Sequence, residues 1–87
     1  MHELALMRDL VARIEATAQA ERATRVTKVV VQLGALSHFT PEHFREHFDD
    51  ATRGTVAEGA VVVSEVDADI TSPRARAVVL AAVEVEV

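Results

Sequence analysis

The first three residues, Met1, His2 and Glu3, place an imidazole next to the amine of the first residue. The Met1 amine, the deprotonated His2 amide and the His2 imidazole can close fused five- and six-membered chelate rings around one metal ion. A planar, nitrogen-rich ligand set suits Ni(II) or Cu(II), whereas Mg(II) and Ca(II) prefer oxygen ligands and structural zinc prefers a tetrahedron. The amide or carboxylate of Glu3 can compete for the fourth position. The alternative is that His2 is a solvated terminal residue and Glu3 a favourable first-turn acid.

A second candidate metal site is formed by two histidines, His43 and His47. Residues four apart on a helix share a face, so the two side chains could clamp one metal ion, with His38 as a nearby third histidine. Two exposed histidines without an obvious third ligand are more often solvated than ligating, and the sequence leaves both interpretations open.

Several other chemistries lack their residues in this sequence. The chain has no cysteine, which excludes disulfides, thiolate nucleophiles and cysteine-type zinc sites. It has no Gly-x-x-x-x-Gly-Lys-Ser/Thr loop for a nucleotide phosphate. Glu84 and Glu86 alternate with valines, as on the solvated side of a strand, rather than forming a pair of catalytic acids. We therefore expect that the chain is not an enzyme.

Composition narrows the class of protein further. With 87 residues the chain is long enough for one domain, and its formal net charge of -5 without a Lys/Arg stripe argues against a nucleic-acid partner. No apolar run approaches the roughly 20 residues of a membrane helix, and no secretory signal pattern is present. We expect a cytoplasmic protein that is not bound to a membrane.

The elements that would position these residues follow from hydrophobic periodicity. Apolar residues at helical spacing predict an amphipathic helix over residues 3–21. Those residues are Leu4, Met7, Leu10, Val11, Ile14 and Ala18. The alternating β-branched run 26–33 predicts a strand that ends at Gly34. Thr40 and Pro41 are typical of a helix start, which predicts a second helix from Pro41 to Arg53 before Gly54.

Two more strands are predicted over residues 60–68 and 77–87, separated by a turn containing Asp69 and Pro73. The alternation changes phase within the last strand, which predicts a bulge or a bend near Ala81 and Ala82. The order is helix, strand, helix, strand, strand. We therefore predict an α+β two-layer sandwich in which two helices cover a small mixed three-stranded sheet.

The segment Met1-His2-Glu3-Leu4 at the head of an amphipathic helix resembles the HypA/HybF family of hydrogenase maturation proteins. Further segments resemble the family pattern in the same order, so that the resemblance spans most of the chain. They are Arg25-Val26-Thr27-Lys28-Val29, Leu33-Gly34-Ala35-Leu36-Ser37, Pro41-Glu42, Ala51-Thr52-Arg53-Gly54-Thr55, Glu58-Gly59-Ala60 and Val83-Glu84-Val85-Glu86.

The resemblance implies a nickel metallochaperone. Its expected activity is to carry Ni(II) to the precursor of the nickel–iron hydrogenase large subunit, or to urease, together with a nickel-handling maturation GTPase. It assigns nickel binding to the Met1 amine, His2 and the adjoining backbone, with Glu3 supporting the site. A homodimer is left open. The alternative function is a metal-independent scaffold of the same fold that recruits maturation partners.

One departure from the family pattern concerns zinc. The family carries a zinc domain built on two Cys-x-x-Cys pairs between the last two strands of its nickel domain, whereas the segment 67–77 is far too short to hold one and contains no cysteine. We therefore expect a single nickel-binding domain over residues 1–87 that lacks the zinc domain and binds no zinc.

Overall fold

The described part of a computed structural model comprises residues 2–87, and their side chains from residue 4 onward. Its elements lie within one or two residues of the predicted bounds and in the predicted order. They are helices α1 (His2–Ala20) and α2 (Pro41–Thr52) and strands β1 (Arg25–Leu33), β2 (Val61–Val66) and β3 (Val78–Glu86).

The sheet has the order β2-β1-β3, with β1 in the centre. Strand β2 is parallel to β1 and β3 is antiparallel to it, so the sheet is mixed. The inward face of β1 carries Val29, Val31 and Leu33, which have no exposed surface. Both helices contribute to the same hydrophobic core as these residues, which confirms the predicted α+β two-layer sandwich.

Two β-bulges determine which residues of β1 and β3 face the core. Val30 pairs with Ala82 and Val31 with Leu80, so Ala81 is the extra residue on β3, as the sequence predicts. A second irregularity leaves Thr27 unpaired on β1, which the sequence reasoning missed. Its signature is visible in the burial: Val26 and Val29 are both buried although they are three residues apart.

The apolar stripe of α1 is buried from Met7 onward but not at its beginning. The buried side chains are Met7, Leu10, Val11, Ile14 and Ala18. The expectation that Leu4 belongs to the buried face is wrong, because 54% of its surface is exposed. Leu4 lies one turn before Met7, so the apolar stripe extends one turn beyond the core that it covers.

The opposite layer of the core comes from α2 and the segment before it. Phe44 and Phe48 have no exposed surface, and Phe39 packs its ring edge-on against Phe44 with centroids 5.5 Å apart. Thr52 is also buried, and its hydroxyl donates to the Phe48 carbonyl at 2.8 Å. The three phenylalanines, which are the only aromatic residues among Phe, Trp and Tyr in the sequence, therefore form the aromatic part of the core.

The outer side of β3 is polar. Glu86 lies 3.4 Å from Arg25 and Glu84 lies 3.7 Å from Lys28, both across the β1–β3 pair and both exposed. The two acids therefore form surface ion pairs on a solvated strand face, as expected. Among the described helices, none is long and apolar enough to cross a membrane.

Candidate metal centre

The predicted N-terminal nickel site lies outside the part of the chain that the structure describes. Its expected ligands come from Met1 and from the side chains of His2 and Glu3. The described backbone gives the position of the helix that contains His2 and Glu3, since α1 begins at His2. The first turns of α1 therefore have a described location relative to the sheet.

The first half of α1 lies near the carboxyl end of β1. Leu6 and Leu10 line a shallow surface depression together with Val78 at the start of β3. Val78 is paired with Leu33, which is the last residue of β1. The beginning of α1 and the carboxyl end of β1 thus share one end of the molecule, which we call the αN end.

The start of α2 lies at the αN end as well, because only residues 34–40 separate it from β1. The Thr40 side chain caps the helix by accepting the His43 backbone N–H at 3.1 Å, and the Thr40 carbonyl accepts the Phe44 N–H at 2.9 Å. Pro41 occupies the first turn, where its missing N–H costs nothing. The predicted helix start is confirmed in residue and in mechanism.

His43 and His47 are brought together on this capped helix. Their Nε2 atoms are 2.9 Å apart and their ring centroids 4.6 Å apart, with the rings inclined at 60°. Both residues are half-buried. The two imidazoles are therefore in contact on one face of the helix, as the i, i+4 spacing predicts.

A phenylalanine supports the histidine pair from the side. The Phe39 ring lies 5.7 Å from the His43 ring and 6.2 Å from the His47 ring, measured between centroids. Phe39 is itself buried against Phe44, so the surface that the two imidazoles touch belongs to the core. The sequence signal for this contact is the position of Phe39 four residues before His43.

His38 is not part of this cluster. It is exposed and has a left-handed backbone conformation, with φ of 68°. Within the part of the chain that the structure describes, no group of three or more His, Asp or Glu side chains is placed to hold a metal ion. The histidine pair is therefore a two-ligand arrangement, and the suggestion of His38 as a nearby third ligand is wrong.

The connection between β2 and β3 closes the same end of the sheet. The Gly34 N–H donates to the Ala77 carbonyl at 2.9 Å and the Leu36 N–H to the Ala75 carbonyl at 2.6 Å. A Cβ atom at Gly34 would lie 2.6 Å from the carbonyl carbon of Ala75. Gly34 is thus required by the close approach of another chain segment, whereas the sequence identified it only as the end of a strand.

An electrostatic feature of this connection is a tight turn at Asp69. The Thr71 hydroxyl donates to the Asp69 carboxylate at 2.6 Å and the Thr71 backbone N–H donates at 2.9 Å. These hydrogen bonds favour the charged form and hold the pKa of the exposed Asp69 carboxyl below its ordinary value of 3.8. The turn predicted around Asp69 is present, and it keeps a charged acid in the loop.

A sequence model of the family described as "Hydrogenase/urease nickel incorporation, metallochaperone, hypA" matches residues 1–76. The chain belongs to the HypA family. The match covers α1, β1, α2 and β2 together with both histidine sites. It confirms the family resemblance of the sequence segments that surround the start of α1.

Curated relatives agree with this assignment to the HypA family. "Hydrogenase maturation factor HypA" from Methylocella silvestris is 45% identical over 60 residues, which are 69% of this chain and 53% of that protein. The protein of the same name from Aquifex aeolicus is 39% identical over 67 residues, which are 77% of this chain and 58% of that protein. The chain thus spans about half the length of the curated HypA relatives that it matches.

A solved HypA structure shares the fold. The solution structure of the Ni metallochaperone HypA from Helicobacter pylori superposes with a TM-score of 0.80 and covers 97% of both chains, at 16% sequence identity. The helices and the mixed sheet described above are therefore the fold of a HypA protein.

Proposed function

We propose that the chain is a nickel metallochaperone domain that binds Ni(II) at its N-terminus and delivers it during the maturation of nickel–iron hydrogenase or urease. The observation that carries the proposal is the extent of the family match, which begins at residue 1 and so includes Met1, His2 and Glu3. The family is described by its role in nickel incorporation, and these residues contain the chelating arrangement that planar Ni(II) favours.

Each of the three residues has a defined role in the proposed site. Met1 supplies its amine, His2 supplies its amide and imidazole nitrogens, and Glu3 supplies the fourth ligand or a polar support. Nickel is the cargo of this site, so its binding must be reversible. Every ligand nitrogen must be unprotonated to bind, which couples nickel affinity to pH.

The proposal extends to the organisation and partners of the protein. Residues 1–87 act as one nickel-binding domain in the cytoplasm, and because this segment has no cysteine it offers no thiolate ligands for zinc. The partners are a nickel-handling maturation GTPase and the hydrogenase large-subunit precursor. The GTPase supplies any nucleotide chemistry, because this sequence has no phosphate-binding Gly-Lys loop.

The test is a calorimetric Ni(II) titration of the untagged chain, with His2→Ala and a Gly-Ser-Gly-Ser extension before Met1 as variants. Both variants should lose the tightly bound nickel and its visible absorption band, which is characteristic of planar Ni(II). A one-residue extension is unsuitable, because a histidine in third position chelates nickel with the new amine. His38→Asn is the matched control and should bind as the unmodified chain does. Unchanged tight binding in both variants would refute the site.

Metal-independent recruitment of maturation partners is the second candidate function. It is favoured by the edge strand β2, where Val61 and Val66 expose 60% and 58% of their surfaces, since exposed apolar side chains on a sheet edge suit contact with another protein. Under this proposal, metal-free His2→Ala protein retains the maturation GTPase or the hydrogenase precursor in a pull-down, and Val61→Lys does not. Retention that depends on nickel and on His2 would rule out this function.

A further inference from the structure

The histidine pair of α2 has the geometry of two neighbouring ligands of one metal ion. Metal–nitrogen bonds of about 2.0–2.1 Å place ligands about 2.9 Å apart at a right angle and about 3.3 Å apart in a tetrahedron. The Nε2 atoms of His43 and His47 are 2.9 Å apart. The two atoms are thus close enough to occupy adjacent positions around one metal ion.

The pair is held in this arrangement before any metal arrives. Thr40 caps the helix at the His43 N–H, so the first turn is fixed. The buried Phe39 ring packs beside both imidazoles and restricts their rotation. Side chains that are already ordered lose less conformational entropy on binding, which makes the pair a better ligand than two mobile surface histidines.

The same separation is that of an N–H···N hydrogen bond, so one ring carries its proton on Nε2 when no metal is bound. Coordination by both Nε2 atoms requires both neutral rings to carry the proton on Nδ1. The hydrogen-bonded proton is therefore replaced by the metal ion, and one ring changes tautomer. A neutral pair releases no net proton and no electron is transferred.

The surrounding charge favours a cation. Glu42 and Glu46 are exposed on the same two turns of α2, and the only cation between them, Arg45, lies 3.8 Å from Asp49. These acids raise the local concentration of divalent ions in a chain whose formal net charge is -5.

We propose that His43 and His47 form a second, bidentate Ni(II) site in which water molecules complete an octahedral shell. It lies at the αN end, which also holds the start of α1. The two sites differ in kind: the terminal chelate is planar with strong-field nitrogen ligands and diamagnetic nickel, whereas two imidazoles with water give paramagnetic six-coordinate nickel.

The test uses the full chain with the terminal site disabled by His2→Ala together with the Gly-Ser-Gly-Ser extension. Calorimetric titration should show one remaining Ni(II) per chain, and NMR should show paramagnetic broadening of the amide signals of residues 39–47. Adding His43→Gln or His47→Gln should weaken this binding by about tenfold or more, whereas adding His38→Asn should leave it within about twofold. Circular dichroism verifies that each variant remains folded.

The two proposed sites can fail separately. A disabled-terminus chain that binds no nickel, or that shows no broadening near α2, would overturn the histidine-pair site and leave the terminal site untouched. Equal affinity of the His38→Asn and His47→Gln proteins would also overturn it. If a glutamine variant unfolds, the broadening in the protein with both histidines intact decides the question.

Discussion

Replacing Gly34 by alanine is the perturbation that most directly tests how the αN end is assembled. Gly34 follows the last residue of β1, and the 67–77 connection runs across it. An alanine Cβ would lie 2.6 Å from the Ala75 carbonyl carbon and closer still to the carbonyl oxygens of Arg74 and Ala75. Since the obstacle is backbone, no side-chain rotation can relieve the overlap.

The expected cost combines overpacking with disturbed hydrogen bonds. Forcing a methyl group into a filled space costs about 1–3 kcal/mol. The displaced connection also carries the bonds from Gly34 to Ala77 and from Leu36 to Ala75. Each contributes roughly 1 kcal/mol net. We expect Gly34→Ala to lower the free energy of unfolding by about 3–5 kcal/mol, a large fraction of the roughly 4–13 kcal/mol expected for a domain of this length.

Urea unfolding followed by circular dichroism measures this change, and Gly54→Ala is the matched control. Gly54 has a φ of +81°, but a Cβ atom there meets nothing within 4 Å. Its substitution should cost only the backbone strain of about 1–2 kcal/mol. Gly34 is not among the positive-φ glycines, so a conformational argument alone would rank the two substitutions in the reverse order. If Gly54→Ala proves the more destabilising change, the steric argument for Gly34 fails.

Three further predictions concern binding, capping and charge. Nickel affinity of the terminal site should fall as pH drops through about 8 to 6, where amines and imidazoles take up protons; calorimetry showing constant affinity over this range would contradict the ligand set. Thr40→Ala should lower the free energy of unfolding, measured by urea titration, by about 1 kcal/mol, whereas Thr40→Ser should lower it by much less because it keeps the hydroxyl. Equal losses in the two variants would contradict a stabilising role of the hydroxyl cap. The pKa of Asp69 is lowered in the fold, so its turn stabilises the protein above the unfolded pKa and this contribution is lost as pH falls through the lower folded value. Carbon-detected NMR titration should find the Asp69 pKa raised in Thr71→Val, and an unchanged value would refute the assigned hydrogen bonds.

Sequence periodicity predicted the helices and strands, but it did not predict for every strand residue whether its side chain faces the core. The opposite alternation on the two sides of Ala81 predicted its bulge, because two inward-facing runs in one strand require an extra residue between them. Thr27 lies inside a run of β-branched residues in which either face can be apolar, so its bulge left no visible break in the pattern. Val26 is buried because of that bulge, and a strict alternation of inward and outward side chains did not predict its burial.

Strand order and close approaches were less accessible, because they depend on contacts between segments far apart in sequence. The pattern of β2 and β3 is compatible with either strand beside β1, and only the packed structure shows β1 in the centre. The requirement for glycine at position 34 comes from the Arg74 and Ala75 carbonyls, some forty positions later in the chain. The His43–His47 pair was predictable because its two members lie on one helix, whereas the support from Phe39 needed the geometry of the turn before that helix.

The shared location of the two proposed nickel sites has an electrostatic consequence. Helices α1 and α2 both begin at the αN end, and the amino-terminal end of a helix carries a partial positive charge that opposes a bound cation by about 0.3–1 kcal/mol each. A nickel ion at either proposed site would therefore be held by its ligands against the field of the backbone, with exposed acids such as Glu42 offsetting part of that field. Such opposition would lower the affinity of either proposed site for a metal ion. The helix starts that would organise the ligands would thus also limit the affinity of both proposed sites for nickel.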